Sequence, residues 1–179
     1  MDIARIALIP LVLGVAGLAI VRFRRLDWRE DVGLKAPRLV DLVFWCALFF
    51  LIAAVGELTA QGDPAGSWRG RYSGIDLAIR LIAVPLIYPI AEEFFFRGVF
   101  LGVVRRRLGD AAGVLLPALM FGLIHVQYDW RGMAFVFLDG LIFGVARVRT
   151  GSVYVPMLLH IGGNSYAVWE RLSPRFIDF

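Results

Sequence analysis

Six apolar runs, most of them near the length needed to cross a bilayer, restrict the fold of this chain more than any other feature. A helix rises 1.5 Å per residue, so about 20 apolar residues traverse a hydrocarbon core roughly 30 Å thick. The runs are Ile3–Val21, Leu39–Leu58, Ile75–Val104, Ala111–Val126, Met133–Val148 and Val153–Trp169. In lipid only helices and closed barrels satisfy their own backbone, and runs of this length fit helices. The expectation is an all-α, polytopic integral membrane protein of about six transmembrane helices, in the plasma membrane if the cell is bacterial. Composition agrees: 59% of the 179 residues are hydrophobic, where a soluble domain has about 45–50% by a similar count. The first run is too long for a signal-peptide core and lacks a small-residue cleavage site, so it reads as a retained helix.

A net charge of +4 raises the question of nucleic acid. The basic residues instead gather in short connections between apolar runs, as in membrane proteins, so no nucleic-acid partner is expected. Arg22, Arg24, Arg25, Arg29, Lys35, Arg38, Arg105, Arg106, Arg107, Arg147 and Arg149 follow the odd-numbered runs. Arg5, Arg69, Arg71, Arg131, Arg171 and Arg175 fall on the other side. This bias places both termini outside the cytoplasm. The connection "TAQGDPAGSWRGRYSG" has the Gly, Pro and Ser content of a solvated loop. One cysteine, Cys46, excludes an intramolecular disulfide.

The third run carries "IAEEFFFRGVF", with Glu92, Glu93 and Arg97 where hydrocarbon should be. Each charge at mid-membrane costs roughly 2.5–3.5 kcal/mol on insertion scales. Glu93 and Arg97, four apart, share a helix face and can pair. Glu92 projects about 100° away and is left for another role: a base, a metal or a proton. A structural ion-pair cluster is the plainer reading, weakened because one arginine cannot serve two carboxylates. Pro85 and Pro89 each remove a helical hydrogen bond just before these acids, so the run should be kinked.

Both histidines of the chain lie in apolar runs, His125 closing "FGLIH" and His160 opening "HIGGN". Phe121 lies one turn before His125 and would stack under its ring. His160 and Asn164 share a face, with Gly162 and Gly163 between them allowing close approach of another helix or a substrate backbone. Helix-packing glue is the plainer reading of that pair. In an antiparallel helix pair about Gly109, Glu93 and His125 both stand sixteen residues, about 24 Å, from the turn and are therefore level. His160 is only nine residues, about 13 Å, past the turn at Gly151, so that turn would have to be recessed to bring it level.

"EEFFFR", "FGLIH" and "HIGGN" read as EExxxR, FxxxH and HxxxN in order on successive runs, and "RTGSVYVPMLLH" leads into the third. This arrangement resembles the type II CAAX prenyl endopeptidases, the Abi or CPBP family of intramembrane proteases and bacteriocin-immunity proteins, over about residues 85–169. The apolar runs place two N-terminal transmembrane helices and loops over 1–74, and the resemblance implies a catalytic core of about four helices over 75–179. It implies a protease acting on a membrane-anchored protein or peptide. Glu92 would activate a water, with Glu93 and Arg97 supporting it. His125 would position that water, and His160 with Asn164 would stabilise the oxyanion. A zinc version would use Glu93, His125 and His160 as ligands and the second glutamate as base. The metal-free version is favoured: Asn164 is a poor zinc ligand but a good oxyanion donor, and no tight HExxH-type spacing is present. A non-catalytic immunity or scaffold protein is the alternative. An ion-coupled carrier ranks last, because carriers show repeated halves and here the unusual residues all fall in the second half.

Overall fold

The computed structural model describes residues 3–59, 68 and 70–173. Every regular element among them is helical: α1 (Ile3–Arg24), α2 (Leu39–Thr59), α3 (Gly74–Ile82), α4 (Tyr88–Glu93), α5 (Leu101–Ile124), α6 (Trp130–Thr150) and α7 (Tyr154–Leu172). Wide π-helical turns at Ala83–Ile87 and Phe94–Phe100 join α3, α4 and α5 into one tract. Most of the connection "TAQGDPAGSWRGRYSG", with Arg69, and also Arg175 lie outside the described residues.

The surface and interior are arranged for lipid. Leu11, Val15, Leu18, Val40, Val43, Phe44 and Leu51 are exposed, while Glu92, Glu93, Arg97, Arg147, Ser152 and His160 are buried. In water that distribution would leave a large apolar patch uncovered and pay for buried charge as well. In a bilayer the apolar exterior faces hydrocarbon and the polar groups find one another inside. Ile6–Arg24 and the continuous tract Gly74–Ile124 are long and apolar enough to cross a membrane, and Leu39–Val55 is a shorter apolar helix.

The expected turn in "RRRLGD" is present. Gly109 breaks the helical path with φ 80°, ψ −180°, a conformation that only glycine adopts without strain. The chain folds back there, with the Gly113 backbone against Arg105. The second limb of α5 then packs on α6 through small residues. Gly122 meets Phe137, Ala118 meets Gly140 and Val114 meets Gly144. The spacing of four on α5 and of three and four on α6 puts one face of each helix together and permits the close backbone approach that drives helix association in lipid. Asp129 caps α6, its carboxylate accepting from the Gly132 N–H at 2.9 Å.

The kink expected from Pro85 and Pro89 takes the form of the first π turn. Tyr88 N–H reaches back five residues to the Ala83 carbonyl, and Pro89 has no N–H to offer the Val84 carbonyl. That orphan carbonyl becomes part of the site.

The basic connection after α1 is folded rather than free. Arg147, fully buried near the end of α6, donates to the Asp31 carbonyl at 2.9 Å. Ser152 Oγ donates to the Lys35 carbonyl at 2.6 Å, and Val153 N–H to the Gly33 carbonyl at 2.9 Å. Gly33, at φ +81°, lies directly over the Arg147 guanidinium, so a side chain there would strain the backbone and push that guanidinium aside. The connection therefore lids the α6–α7 turn, and Ser152 and Val153 lie fully buried beneath it.

Candidate active site

The first shared element is the exit of α4. Glu92 and Glu93 end it, and the second π turn carries Arg97 back onto Glu93. Arg97 Nη1 donates to Glu93 Oε1 at 2.7 Å, and both side chains are fully buried. The guanidinium is held over the Phe121 ring at 4.3 Å and the Phe143 ring at 5.3 Å. Those aromatic faces replace part of the hydration that Arg97 has lost. Among the described residues Arg97 Nε and Nη2 and Glu93 Oε2 have no hydrogen-bond partner.

His160, from α7, completes the cluster. Its Nδ1 lies 2.9 Å from Glu93 Oε1 and its Nε2 lies 3.7 Å from Glu92 Oε2. Glu93 Oε1, already accepting from Arg97, can only accept again, so His160 Nδ1 carries the donated proton. Its Nε2 then faces Glu92 across a gap too long for a direct hydrogen bond. The imidazole is stacked on Phe143, centroids 5.3 Å apart, and meets the Phe121 ring edge-on at 5.7 Å. The two acids are thereby made different. Glu93 is tied to a guanidinium and an imidazole; Glu92 accepts no hydrogen bond among the described residues. Glu92 also keeps 6% exposure where Glu93 has none.

His160 reaches both acids because two sequence distances do not translate directly into depth. The α6–α7 turn is covered by the Gly33–Lys35 segment, whereas a side chain at Gly109 would meet open space, so the two turns are not equivalent ends. The π turn at Phe94–Phe100 also advances less per residue than an α-helix, drawing Glu93 closer to the Gly109 end.

His125, the C-cap of α5, lies one ring away. Its Nδ1–H donates to the Phe121 carbonyl at 2.6 Å, which leaves Nε2 as an acceptor. The ring meets Phe121 at 4.7 Å, as the spacing of four brings them together, but edge-on rather than stacked, and it lies parallel to Tyr128 at 6.1 Å. Phe121 thus stands between the two imidazoles.

Asn164 lies one turn beyond His160 and donates from Nδ2 to the Val84 carbonyl at 2.9 Å. This is the carbonyl orphaned by Pro89 and the first π turn. The prolines and the asparagine are therefore one device, a broken helix repaired from a neighbouring one. Replacing Asn164 by leucine leaves that carbonyl unpaired, and the expected cost is about 1–3 kcal/mol, read as a lower unfolding midpoint in detergent. Gly162 and Gly163 allow close approach as expected, and the occupants are the Phe50 and Phe49 rings of α2.

The ligands of a zinc version, Glu93, His125 and His160, do not converge. Glu93 and His160 bond to each other, His125 is separated by Phe121, and no group of three His, Cys, Asp or Glu side chains among the described residues could hold a metal ion.

Sequence reasoning overlooked Asp139 of α6, which stands close enough to Arg97, His160 and Glu93 to add its charge to theirs. Its signal was available: it is the one acid in the apolar run Met133–Val148. Phe143, the platform for both Arg97 and His160, carried no such signal.

Comparison with known proteins coincides with this region. A family profile described as type II CAAX prenyl endopeptidase Rce1-like matches residues 74–166. A 24.3 kDa uncharacterized protein of Escherichia coli is 38% identical over 89 residues, covering 48% of this chain and 41% of that protein. The membrane-embedded CAAX protease MroQ of Staphylococcus aureus is 28% identical over 106 residues, covering 55% of this chain and 42% of that protein. The chain thus spans about two-fifths of the length of these relatives. No solved structure matches it. The matched span runs from the start of α3 through the three motifs to Tyr166, taking in every residue of the buried acid–imidazole cluster, and the chain belongs to the Rce1-like family of type II CAAX prenyl endopeptidases.

Proposed function

We propose that this protein is a multi-pass intramembrane endopeptidase that hydrolyses a peptide bond of a membrane-anchored protein or peptide by a metal-free, glutamate-activated water. The six-span count belongs to the same reading. It is supported by the break at Gly109, which divides the tract Gly74–Ile124 into two limbs.

The observation that carries the mechanism is the inequality of the two acids. Glu93 is neutralised and fixed by Arg97 and His160 and acts as scaffold. Glu92 is buried, adjacent and uncommitted, with His160 Nε2 at 3.7 Å. A water bound between them would give one proton to Glu92 while its oxygen attacks the scissile carbonyl. His160 Nε2 lies where it can relay that proton towards the leaving amine. His125, with Nε2 free to accept, orients the water or the substrate from across Phe121. Asn164 takes the oxyanion role only if the substrate draws its amide from the Val84 carbonyl. Substrate binding is then coupled to a small repacking of the first π turn.

A direct test is incubation of the purified chain in detergent micelles with two internally quenched peptides. One carries a C-terminal prenylcysteine and the other an unmodified membrane-spanning anchor. Cleavage of either, resistant to EDTA and phenanthroline, is the expected result. Activity abolished by chelators and restored by zinc would overturn the metal-free mechanism. An intact, folded protein that cuts neither would favour a binding or immunity role.

A further inference from the structure

A groove of about 400 Å³ lies where the end of α1 meets the last turns before Gly109. It is lined by the apolar Phe23, Leu26 and Val103, of which Leu26 is buried, and by four arginines, Arg24, Arg25, Arg106 and Arg107. A second groove of similar volume begins at the same Arg25 and Leu26 and follows α1 along Val21 and Leu18, with Trp28 at its side. We propose that the pair forms a site for one acidic phospholipid. Its phosphate would lie among the four arginines and an acyl chain along Leu18 and Val21.

Charge and shape both favour that occupant. Of the four lining arginines only Arg106 has an acidic partner, Asp31 at 3.1 Å, among the described residues. Asp27 lines the second groove but not the first. Its carboxylate accepts the backbone N–H groups of Arg29 and Glu30, which hold its carboxyl below the usual range. Its negative charge steers a phosphate towards the arginine-only groove and away from its own. Arginine suits a phosphate better than lysine would, because its planar fork can donate two bonds at once. Phe23 is 82% exposed and Trp28 is 44% exposed, as expected of aromatic rings at the headgroup level. Basic pockets between helices at a membrane surface are suited to acidic headgroups.

The backbone adds an independent observation. α1 ends in a Schellman motif: Leu26 N–H bonds the Val21 carbonyl at 3.0 Å, and Leu26 and Val21 pack together. The left-handed position of that motif is normally glycine. Here it is Arg25, at φ 51°, the one non-glycine residue with positive φ among the described residues. The motif itself gains nothing from a guanidinium there, whereas a phosphate site does.

This inference rests on the membrane setting of the chain and not on the proteolytic reading. Arg25→Gly offers a clean test, because glycine relieves the left-handed backbone while removing the charge. The delipidated full chain is titrated with phosphatidylglycerol or phosphatidylcholine in detergent, and bound lipid is counted by native mass spectrometry. The wild type should hold one phosphatidylglycerol in clear preference to phosphatidylcholine. Arg25→Gly and Arg107→Gln should each lower that preference roughly fivefold. Arg38→Gln, which removes an equal charge from a residue paired with Asp41 elsewhere on the surface, should leave it unchanged. Unfolding curves recorded in parallel should show Arg25→Gly folding as well as the wild type. No preference in the wild type, an undiminished preference in both groove variants, or an equal loss in Arg38→Gln would overturn the site. Displacement of the lipid by millimolar inorganic phosphate alone would show an ion site instead and overturn the lipid as occupant.

Discussion

Replacing Glu92 by glutamine is expected to reduce peptide cleavage by at least about 10²–10⁴-fold, the range supplied by a positioned acid–base group. The stability of the protein should not fall. Glu92 is buried, accepts no hydrogen bond among the described residues and is not the acid that Arg97 serves. An amide of the same shape removes a charge that the fold does not use, so the unfolding midpoint should hold or rise, as is common where a side chain is kept for chemistry. The pairing of lost turnover with undiminished stability separates a chemical role from a packing role. Glu93→Gln supplies the contrast: it disturbs the bonds to Arg97 and His160, so turnover and stability should drop together. Both variants are compared with wild type in the quenched-peptide assay and by detergent unfolding. Full turnover in Glu92→Gln would exclude Glu92 as the base.

Much of this site could be read from spacing, because spacing on a helix is geometry. Glu93 and Arg97 are four apart and do pair at 2.7 Å; Phe121 and His125 are four apart and do pack. The turn at Gly109 was legible because arginines and a glycine interrupt an apolar run. Depth was less legible. Counting 1.5 Å per residue puts His125 level with Glu93 and leaves His160 short, yet His160 bonds to Glu93 and His125 stands behind Phe121. Counting assumes uniform α-helix and turns at equal height. The chain breaks both assumptions, with π turns around the acids and a turn at Gly151 lidded by Gly33–Lys35. No local pattern announces either, because both depend on contacts between segments far apart in sequence. The engagement of Asn164 with Val84 was hidden for the same reason. Its partner is a backbone atom made available by Pro89, eighty residues from the asparagine in the chain.

The second large effect concerns what keeps the acids in place. Arg97→Leu should destabilise the protein by about 3–5 kcal/mol, the cost of leaving one member of a buried ion pair without the other. Glu93 would keep only His160, and Phe121 and Phe143 would lose the cation they flank. The double variant Glu93→Leu/Arg97→Leu should recover most of that loss, because the desolvation of both charges disappears with them and two apolar side chains suit their surroundings. Equilibrium unfolding in mixed micelles, followed by circular dichroism, gives the four corners of the cycle, and the non-additivity measures the pair itself. The double variant should nevertheless be inactive, because Glu92 would then have no fixed neighbour and His160 no partner to set its tautomer. A stable but inactive double variant would mean that the Glu93–Arg97 pair is kept for the geometry of Glu92 and His160 and not for the fold. An Arg97→Leu protein as stable as wild type would mean that Glu93 is held by something other than this guanidinium, and the scaffold role assigned to the pair would be lost.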